Sequence, residues 1–322
     1  MSYFKKLFAD INPYVFFISV GVIGLFLFSG AVFTEQTGEI FDLIQNFIVV
    51  KFGWFYTLAV GVYLVFVIFL FFSPYGGFKL GPDESEPDYT YASWFAMLFS
   101  AGMGIGLVFF GVAEPMYHYL SPPTMPGETI TAAKESMKLT FFHWGFHAWA
   151  IYIVVGLSLA YFSFRHNLPL SIRSAFYPLL GERINGPIGN IVDILAIFGT
   201  MFGVATSLGV GVLQINEGLN FLLGIGTSTT LQILLVVVIT LIATGSVALG
   251  LDKGIRRLSN FNMTIAIFIV GFVFFTGPSI FILNSMVENT GFYLQNLVET
   301  TFWLNSYGGT DWLGDWTLFY WG

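Results

Sequence analysis

The chain has 322 residues and a net charge of −7; 56% of its residues are hydrophobic and 10% are charged. Soluble domains carry about 25% charged residues, so this composition excludes a soluble globular domain and indicates an integral membrane protein. No basic stripe of the kind that nucleic acids require is visible, and we expect no nucleic-acid partner. The absence of cysteine excludes disulfides, thiolate nucleophiles and cysteine metal sites.

Several apolar stretches reach the roughly 20 residues that a helix needs to cross a bilayer. The first of them lacks a small-residue cleavage signal, so it predicts a retained span rather than a signal peptide. An eighth apolar segment begins at Trp316. The predicted spans are residues 13–33, 52–72, 92–112, 139–162, 188–213, 229–250 and 261–283.

The third predicted span contains glycine at every second position, at Gly102, Gly104 and Gly106. Each glycine inside a helix costs roughly 1 kcal/mol relative to alanine, and backbone groups freed by unwinding need partners within the protein. A glycine-interrupted span is a pointer to the binding site of a transporter. We expect Pro115 to end this helix, with Glu114 capping it or pairing near the mouth of a pathway.

The fourth predicted span carries Trp144, Trp149 and Tyr152, which fall within one broad face of a continuous helix. Converging aromatic faces attract cations and suit a quaternary ammonium group, which cannot donate a hydrogen bond. Tryptophan and tyrosine also form belts at membrane interfaces, so both interpretations remain open.

His143 and His147 lie four residues apart, the spacing of metal or haem ligands on a helix. His118 and His166 fall in or near predicted loops, and we expect no further intramembrane acidic or histidine ligand to complete a coordination sphere. Hydrogen bonding by the two histidines is the favoured interpretation. No nucleophile–base pair, phosphate loop or zinc pattern is present, so the sequence predicts no enzyme activity and no cofactor.

Two long motifs give the chain a family resemblance. The segments AGMGIGLVFFGVAEPMYHY (101–119) and FHWGFHAWAIY (142–152) resemble the betaine/choline/carnitine transporter family. GTMFGVATSLGVG (199–211) and DWTLFYWG (315–322) are also similar to that family, so the resemblance covers nearly the whole chain. It implies a multi-pass protein of the bacterial plasma or inner membrane.

The resemblance implies an all-α membrane fold of the LeuT-like inverted-repeat type, with two leading helices before two five-helix repeats. On that scheme residues 1–91 are the leading helices and residues 92–283 the first repeat. Residues 284–311 form an amphipathic surface helix with Phe292, Leu297 and Trp303 on one side, either contacting another subunit or capping the core. Residues 312–322 begin the eighth span, and the family implies a possible homotrimer.

The resemblance also implies the residues of the site. Trp144, Trp149 and Tyr152 match positions of an aromatic cage around a trimethylammonium group, and the unwound segment Gly102, Met103, Gly104 and Gly106 would face this substrate. Backbone carbonyls at Ser100 and Met103 match half of one sodium site, and Thr200 matches a hydroxyl ligand of another. Proton-coupled choline members tend to have aspartate at the position of Gly106, so glycine favours sodium-coupled glycine betaine uptake.

The chain stops at Gly322, where the family's eighth helix enters its tryptophan-rich segment. We therefore expect either a fragment of a longer product or a truncated copy. Proton-coupled transport of choline or carnitine is the alternative within transport. A non-transporting membrane component is the alternative from another class, and a haem protein is a more distant one.

Overall fold

The computed structural model describes residues 11–102, 104–308 and 312–321, and all regular secondary structure in them is helical. The predicted all-α class is therefore confirmed. Six helical stretches among these residues are long and apolar enough to cross a bilayer: Pro13–Val32, Thr34–Phe72, Ile130–Arg165, Pro187–Leu223, Thr229–Ala248 and Leu251–Thr276. The inverted-repeat arrangement stays a prediction.

The α-helices, in chain order, are α1 (Pro13–Val32), α2 (Thr34–Phe72), α3 (Tyr91–Gly102), α4 (Ile105–Leu120), α5 (Ile130–Trp144), α6 (Phe146–Ala160), α7 (Tyr177–Leu180), α8 (Pro187–Leu223), α9 (Thr229–Ala248), α10 (Arg256–Thr276), α11 (Ser279–Gln295), α12 (Leu297–Thr301) and α13 (Phe319–Trp321). Wider π-type turns at Tyr161–Arg165, Leu251–Ile255 and Leu313–Leu318 adjoin α6, α10 and α13.

The chain divides into two compact units. In the first unit, formed by residues 1–85, 146–203 and 301–322, α2 packs against α6 and against the turn Leu313–Leu318. Gly314 in this turn permits the contact, because a Cβ there would lie only 2.9 Å from Val49 Cγ2 on α2.

The second unit, formed by residues 86–145 and 204–300, contains the interrupted third span. Here α4 packs along α5, α3 packs against α10, and α11 packs against α5. Tyr293 of α11 makes an edge contact with Phe141 of α5, with ring centroids 5.9 Å apart. The ammonium of Lys138 lies 5.7 Å from the ring centre of Phe292. One side of α11 thus covers α5.

The glycine break predicted in the third span is present, whereas the predicted stop at Pro115 is wrong. Helix α3 ends at Gly102, α4 begins at Ile105, and α4 continues through Pro115 to Leu120. Proline removes one backbone donor, and the hydrogen bonds of the turns on either side are sufficient to carry the helix past it. The interruption leaves helices of 12 and 16 residues.

The predicted surface helix also has different limits. Helix α10 ends at Thr276 because Gly277 and then Pro278 follow, so the seventh span is shorter at this end than predicted. Helix α11 begins at Ser279 and ends at Gln295, and α12 continues from Leu297 to Thr301. Trp303 follows the last of these turns, so it does not share one continuous helix with Phe292.

An exposed ion pair anchors the acidic loop after α2 within the first unit. Arg165 donates hydrogen bonds to Asp83 Oδ1 at 2.6 Å and to the Gly81 carbonyl at 2.8 Å. The hydrogen bond and the positive charge of Arg165 hold the pKa of the Asp83 carboxyl below its usual value of 3.8. The interaction therefore persists at all pH values above the usual carboxyl range and is lost as the pH falls through the lowered pKa.

We predict that Arg165→Gln increases amide hydrogen exchange in residues 79–85 by about two- to fivefold at neutral pH, the scale of an exposed ion pair. In the unsubstituted protein, protection factors corrected for intrinsic exchange should be equal at pH 8 and pH 5, because Asp83 stays ionised at both. Arg183→Gln, in the helical turn Gly181–Asn185 of the same unit, is the control and should leave the segment unchanged. A loss of protection that follows the usual pKa of 3.8 as the pH falls below 5 would contradict the lowered pKa.

Candidate functional site

One face of α4 carries four residues at intervals of four: Gly106, Phe110, Glu114 and His118. Residues spaced by four lie above one another on a helix, and this face lies against α5. His143 and Trp144, the last two residues of α5, complete the contact. We call Glu114, His118, His143 and Trp144 the Glu114 cluster, and all four belong to the second unit.

The carboxylate of Glu114 is at the centre of the cluster and has no solvent exposure. Its Oε1 atom lies 2.5 Å from His143 Nδ1 and 3.2 Å from His118 Nε2. Its Oε2 atom accepts a hydrogen bond of 2.7 Å from Trp144 Nε1. Both oxygens of the carboxylate thus have partners. When the two imidazole nitrogens that face Glu114 carry their protons, all three neighbouring side chains donate hydrogen bonds to the carboxylate.

These hydrogen bonds explain how the site tolerates an acidic side chain. An isolated carboxylate is costly in a low-dielectric interior, and acidic residues within membrane helices face partners and mark functional sites. Hydrogen bonds to an ionised acceptor are roughly twice as strong as neutral ones. The two donors from α5, His143 and Trp144, therefore join the two helices at the carboxylate.

The cluster also fixes the indole of Trp144. Its N–H is held by Glu114, and the Phe110 ring lies 6.0 Å away, tilted by 30°. A Cβ at Gly106 would lie 2.8 Å from Trp144 Cη2, closer than real Cβ contacts. Glycine is therefore required for the six-membered end of the indole to rest against α4. Trp144 as a whole is half-buried.

The fourth predicted span is interrupted directly after Trp144, which the sequence analysis did not anticipate. Gly145 has φ −93° and ψ −135°, outside the helical region. A side chain at this position would overlap the carbonyl oxygen of Phe141, so the backbone path there requires glycine. Because α5 and α6 are separate helices, a helical wheel drawn through residues 144–152 does not describe their faces.

The two histidines spaced by four residues have separate roles. His143 bonds Glu114, whereas His147 Nε2 lies 2.8 Å from Thr301 Oγ1 and its ring stacks on Trp321 at 5.4 Å in the first unit. Hydrogen bonding by both is confirmed. The expectation that no acidic residue or further histidine joins them is wrong for His143, which lies beside Glu114 and His118.

The predicted position of His118 in or near a loop is wrong, because His118 lies within α4 and is 1% exposed. Glu114, an acidic residue four positions before His118 in an apolar stretch, is the sequence signal that indicates their pairing.

The Glu114 carboxylate and the imidazoles of His118 and His143 bring possible metal-ligand atoms within 4.8 Å of one another. Each imidazole also lies within hydrogen-bond distance of the carboxylate. The geometry therefore suits hydrogen bonding.

The other predicted cage residues lie in the first unit on α6. The rings of Trp149 and Tyr152 have centroids 6.0 Å apart and an interplanar angle of 49°, so they form a neighbouring aromatic pair. Trp149 is half-buried, and Tyr152 is 51% exposed. Both rings have surface available for contact with another group.

The predicted sodium ligands fall at different places. Ser100 is in the last turn of α3, where its hydroxyl accepts a hydrogen bond of 3.3 Å from the Asn262 side chain. Thr200 on α8 is exposed and donates its hydroxyl proton to the Ala196 carbonyl at 2.8 Å, which leaves lone pairs on its oxygen. Gly102 ends α3, Gly104 lies between the two helices, and Met103 lies outside the described residues. The sodium assignments stay predictions.

The long apolar helices define a multi-pass membrane protein. A buried ionisable cluster beside a glycine-interrupted helix is typical of transporters. The family follows from sequence comparison. The chain belongs to the betaine/carnitine/choline family of transporters, whose family model, "BCCT, betaine/carnitine/choline family transporter", matches residues 14–322. The predicted family and the membrane location are confirmed, and its relatives are transporters rather than enzymes.

Curated relatives include a "Glycine betaine transporter" of Acinetobacter baylyi, 49% identical over 98% of this chain and 48% of that protein. A "High-affinity choline transport protein" of Escherichia coli K12 is 46% identical over 97% of this chain and 46% of its own length. "Glycine betaine transporter OpuD" of Bacillus subtilis is 44% identical over 95% of this chain and 60% of its own length. The chain thus spans about half the length of the relatives it matches.

We predict that Gly106→Ala lowers the free energy of unfolding by about 1–3 kcal/mol, the usual cost of overpacking, because the added methyl group meets the Trp144 ring. Gly111→Ala on the same helix is a matched control, since a Cβ there has no atom within 4 Å. It should be neutral or stabilise the protein by up to about 1 kcal/mol. Thermal unfolding in detergent of the protein expressed from its full reading frame measures both. Equal shifts in the two variants would contradict the close Gly106–Trp144 contact.

Proposed function

We propose that this chain forms part of a secondary transporter that imports glycine betaine, or a related trimethylammonium solute, by sodium symport. Its family membership and the printed functions of its relatives support a quaternary ammonium substrate. The observation that carries the proposal is the indole of Trp144, held beside an interrupted helix by a buried carboxylate. Such a fixed ring is prepared to contact a cation before the substrate arrives.

The chemistry of the substrate agrees with this arrangement. A trimethylammonium group has a delocalised positive charge and no N–H donor, so aromatic faces bind it better than carboxylates do. Trp149 and Tyr152, with neighbouring rings on α6, are the further aromatic residues that we assign to the cage. The carboxylate of glycine betaine would be met by backbone N–H groups at the interrupted span, where helices end and donors are left free.

Gly106 supports sodium rather than proton coupling. A side chain at this position would enter the space occupied by the Trp144 ring, which leaves no room for the aspartate that proton-coupled choline members tend to have. The hydroxyl and carbonyl oxygens of Ser100, Met103 and Thr200 are hard ligands of the type that small cations bind. Proton-coupled choline transport is the second candidate, which the 46% identity to the E. coli choline protein favours.

We predict that Trp149→Leu weakens glycine betaine binding by about 30-fold in the protein expressed from its full reading frame. This corresponds to the loss of about 2 kcal/mol for a desolvated cation–π contact. Trp303→Leu is the matched control: Trp303 packs against Trp312 with ring centroids 5.2 Å apart and is not a cage residue in our assignment. Its dissociation constant, measured by isothermal titration calorimetry, should change less than threefold. Equal losses in the two variants would refute the cage assignment.

We predict that uptake of radiolabelled glycine betaine by proteoliposomes stops when external sodium is replaced by potassium at constant pH. An imposed proton gradient without sodium should not restore it, because sodium rather than the proton supplies the driving force. Uptake of choline driven by the proton gradient in sodium-free buffer would favour the second candidate. Absence of uptake for every quaternary ammonium solute under both gradients would reject the proposed function.

A further inference from the structure

We infer that Glu114 is a positioning residue for the substrate site: it sets the orientation of the Trp144 indole through the Nε1–H to Oε2 hydrogen bond. The inference rests on the proposed function, since it takes Trp144 as a cage residue. In our assignment Glu114 makes no contact with the substrate. It acts through the indole of Trp144, which does contact the substrate.

The geometry shows why the orientation of Trp144 depends on this bond. Trp144 is the last residue of α5, and the backbone leaves the helical path at Gly145 directly after it. A side chain at a helix end has fewer neighbours to hold it than one in mid-helix. The contacts of the ring with α4 include those at Gly106 and Phe110, which bear on its six-membered part and on its face. The bond from the indole nitrogen to Glu114 determines the rotation of the ring about its attachment to the backbone.

The histidines direct the carboxylate toward the indole. His118 and His143 both meet Oε1, so this oxygen is occupied and Oε2 is presented to Trp144. A glutamine at position 114 has one acceptor oxygen and an amide group that donates. It cannot accept hydrogen bonds from three donors, so the side chain would turn or one of its neighbours would move. The full set of contacts therefore requires a carboxylate.

The test compares transport kinetics of Glu114→Gln with a matched control in the protein expressed from its full reading frame. Losing a hydrogen bond to a charged acceptor corresponds to about a 10- to 100-fold change in an equilibrium constant. We expect the KM for glycine betaine to rise by this factor, while Vmax per molecule of inserted transporter changes less than threefold. Thr140→Val removes a buried hydroxyl that donates to the Ser136 carbonyl on the same helix α5. This control should leave KM and Vmax within threefold of the unsubstituted protein.

A second substitution removes the donor and leaves Glu114 intact, which covers the case in which Glu114→Gln fails to fold. Nonsense suppression at position 144 introduces the benzothienyl analogue of tryptophan, in which sulfur replaces the indole N–H and the aromatic face is kept. We expect its KM to rise to a similar extent. When the benzothienyl analogue is combined with Glu114→Gln, the KM should rise less than threefold beyond that of Glu114→Gln alone, because both changes remove the same hydrogen bond.

The outcomes separate this inference from the proposed function. If the unsubstituted protein transports glycine betaine but the benzothienyl variant keeps its KM, Glu114 is a structural residue and the inference is wrong. A fall in Vmax at constant KM, or independent effects of the two changes, would also overturn it. If the unsubstituted protein transports no quaternary ammonium solute, the proposed function itself fails.

Discussion

A carboxylate enclosed by apolar helices organises the second unit. Glu114 has no access to solvent, so hydrogen-bond donors from the protein must replace the water that an ionised carboxylate would otherwise bind. His118 supplies one from the same helix, while His143 and Trp144 supply two from the neighbouring helix. The position at which α5 ends is therefore linked to the register of α4, because its last two residues must both reach one side chain.

Glycine has two distinct uses around this carboxylate. At Gly106 it leaves space, since the Trp144 ring occupies the place that a side chain would take. At Gly145 it permits a backbone path that would bring a side chain onto the Phe141 carbonyl. The first glycine allows close approach of an aromatic ring, and the second ends the helix that carries this ring. Both are needed for the same tryptophan to bond Glu114.

The sequence predicted the features that depend on local composition. Long apolar runs identified the membrane helices, because a bilayer demands about 20 apolar residues per crossing. Alternate glycines identified the interruption between α3 and α4. Prediction failed at two positions where the residue type does not decide whether a helix continues. The helix passes through Pro115, and one glycine in a run of aromatic residues interrupts the fourth span. A lone glycine is common in membrane helices, so nothing local distinguished Gly145.

By itself, the sequence determined the membrane class, the family and the residue types available for a cation site, since these follow from hydropathy and from motifs read along the chain. The pairing of Glu114 with His143 and Trp144 was decided by tertiary structure alone, because the partners are about 30 residues apart and belong to different helices. Their meeting depends on the register of α4 against α5 and on the helix end at Gly145. Hydrogen bonds require contact within about 3 Å, and hydrophobic periodicity does not specify a register to that accuracy.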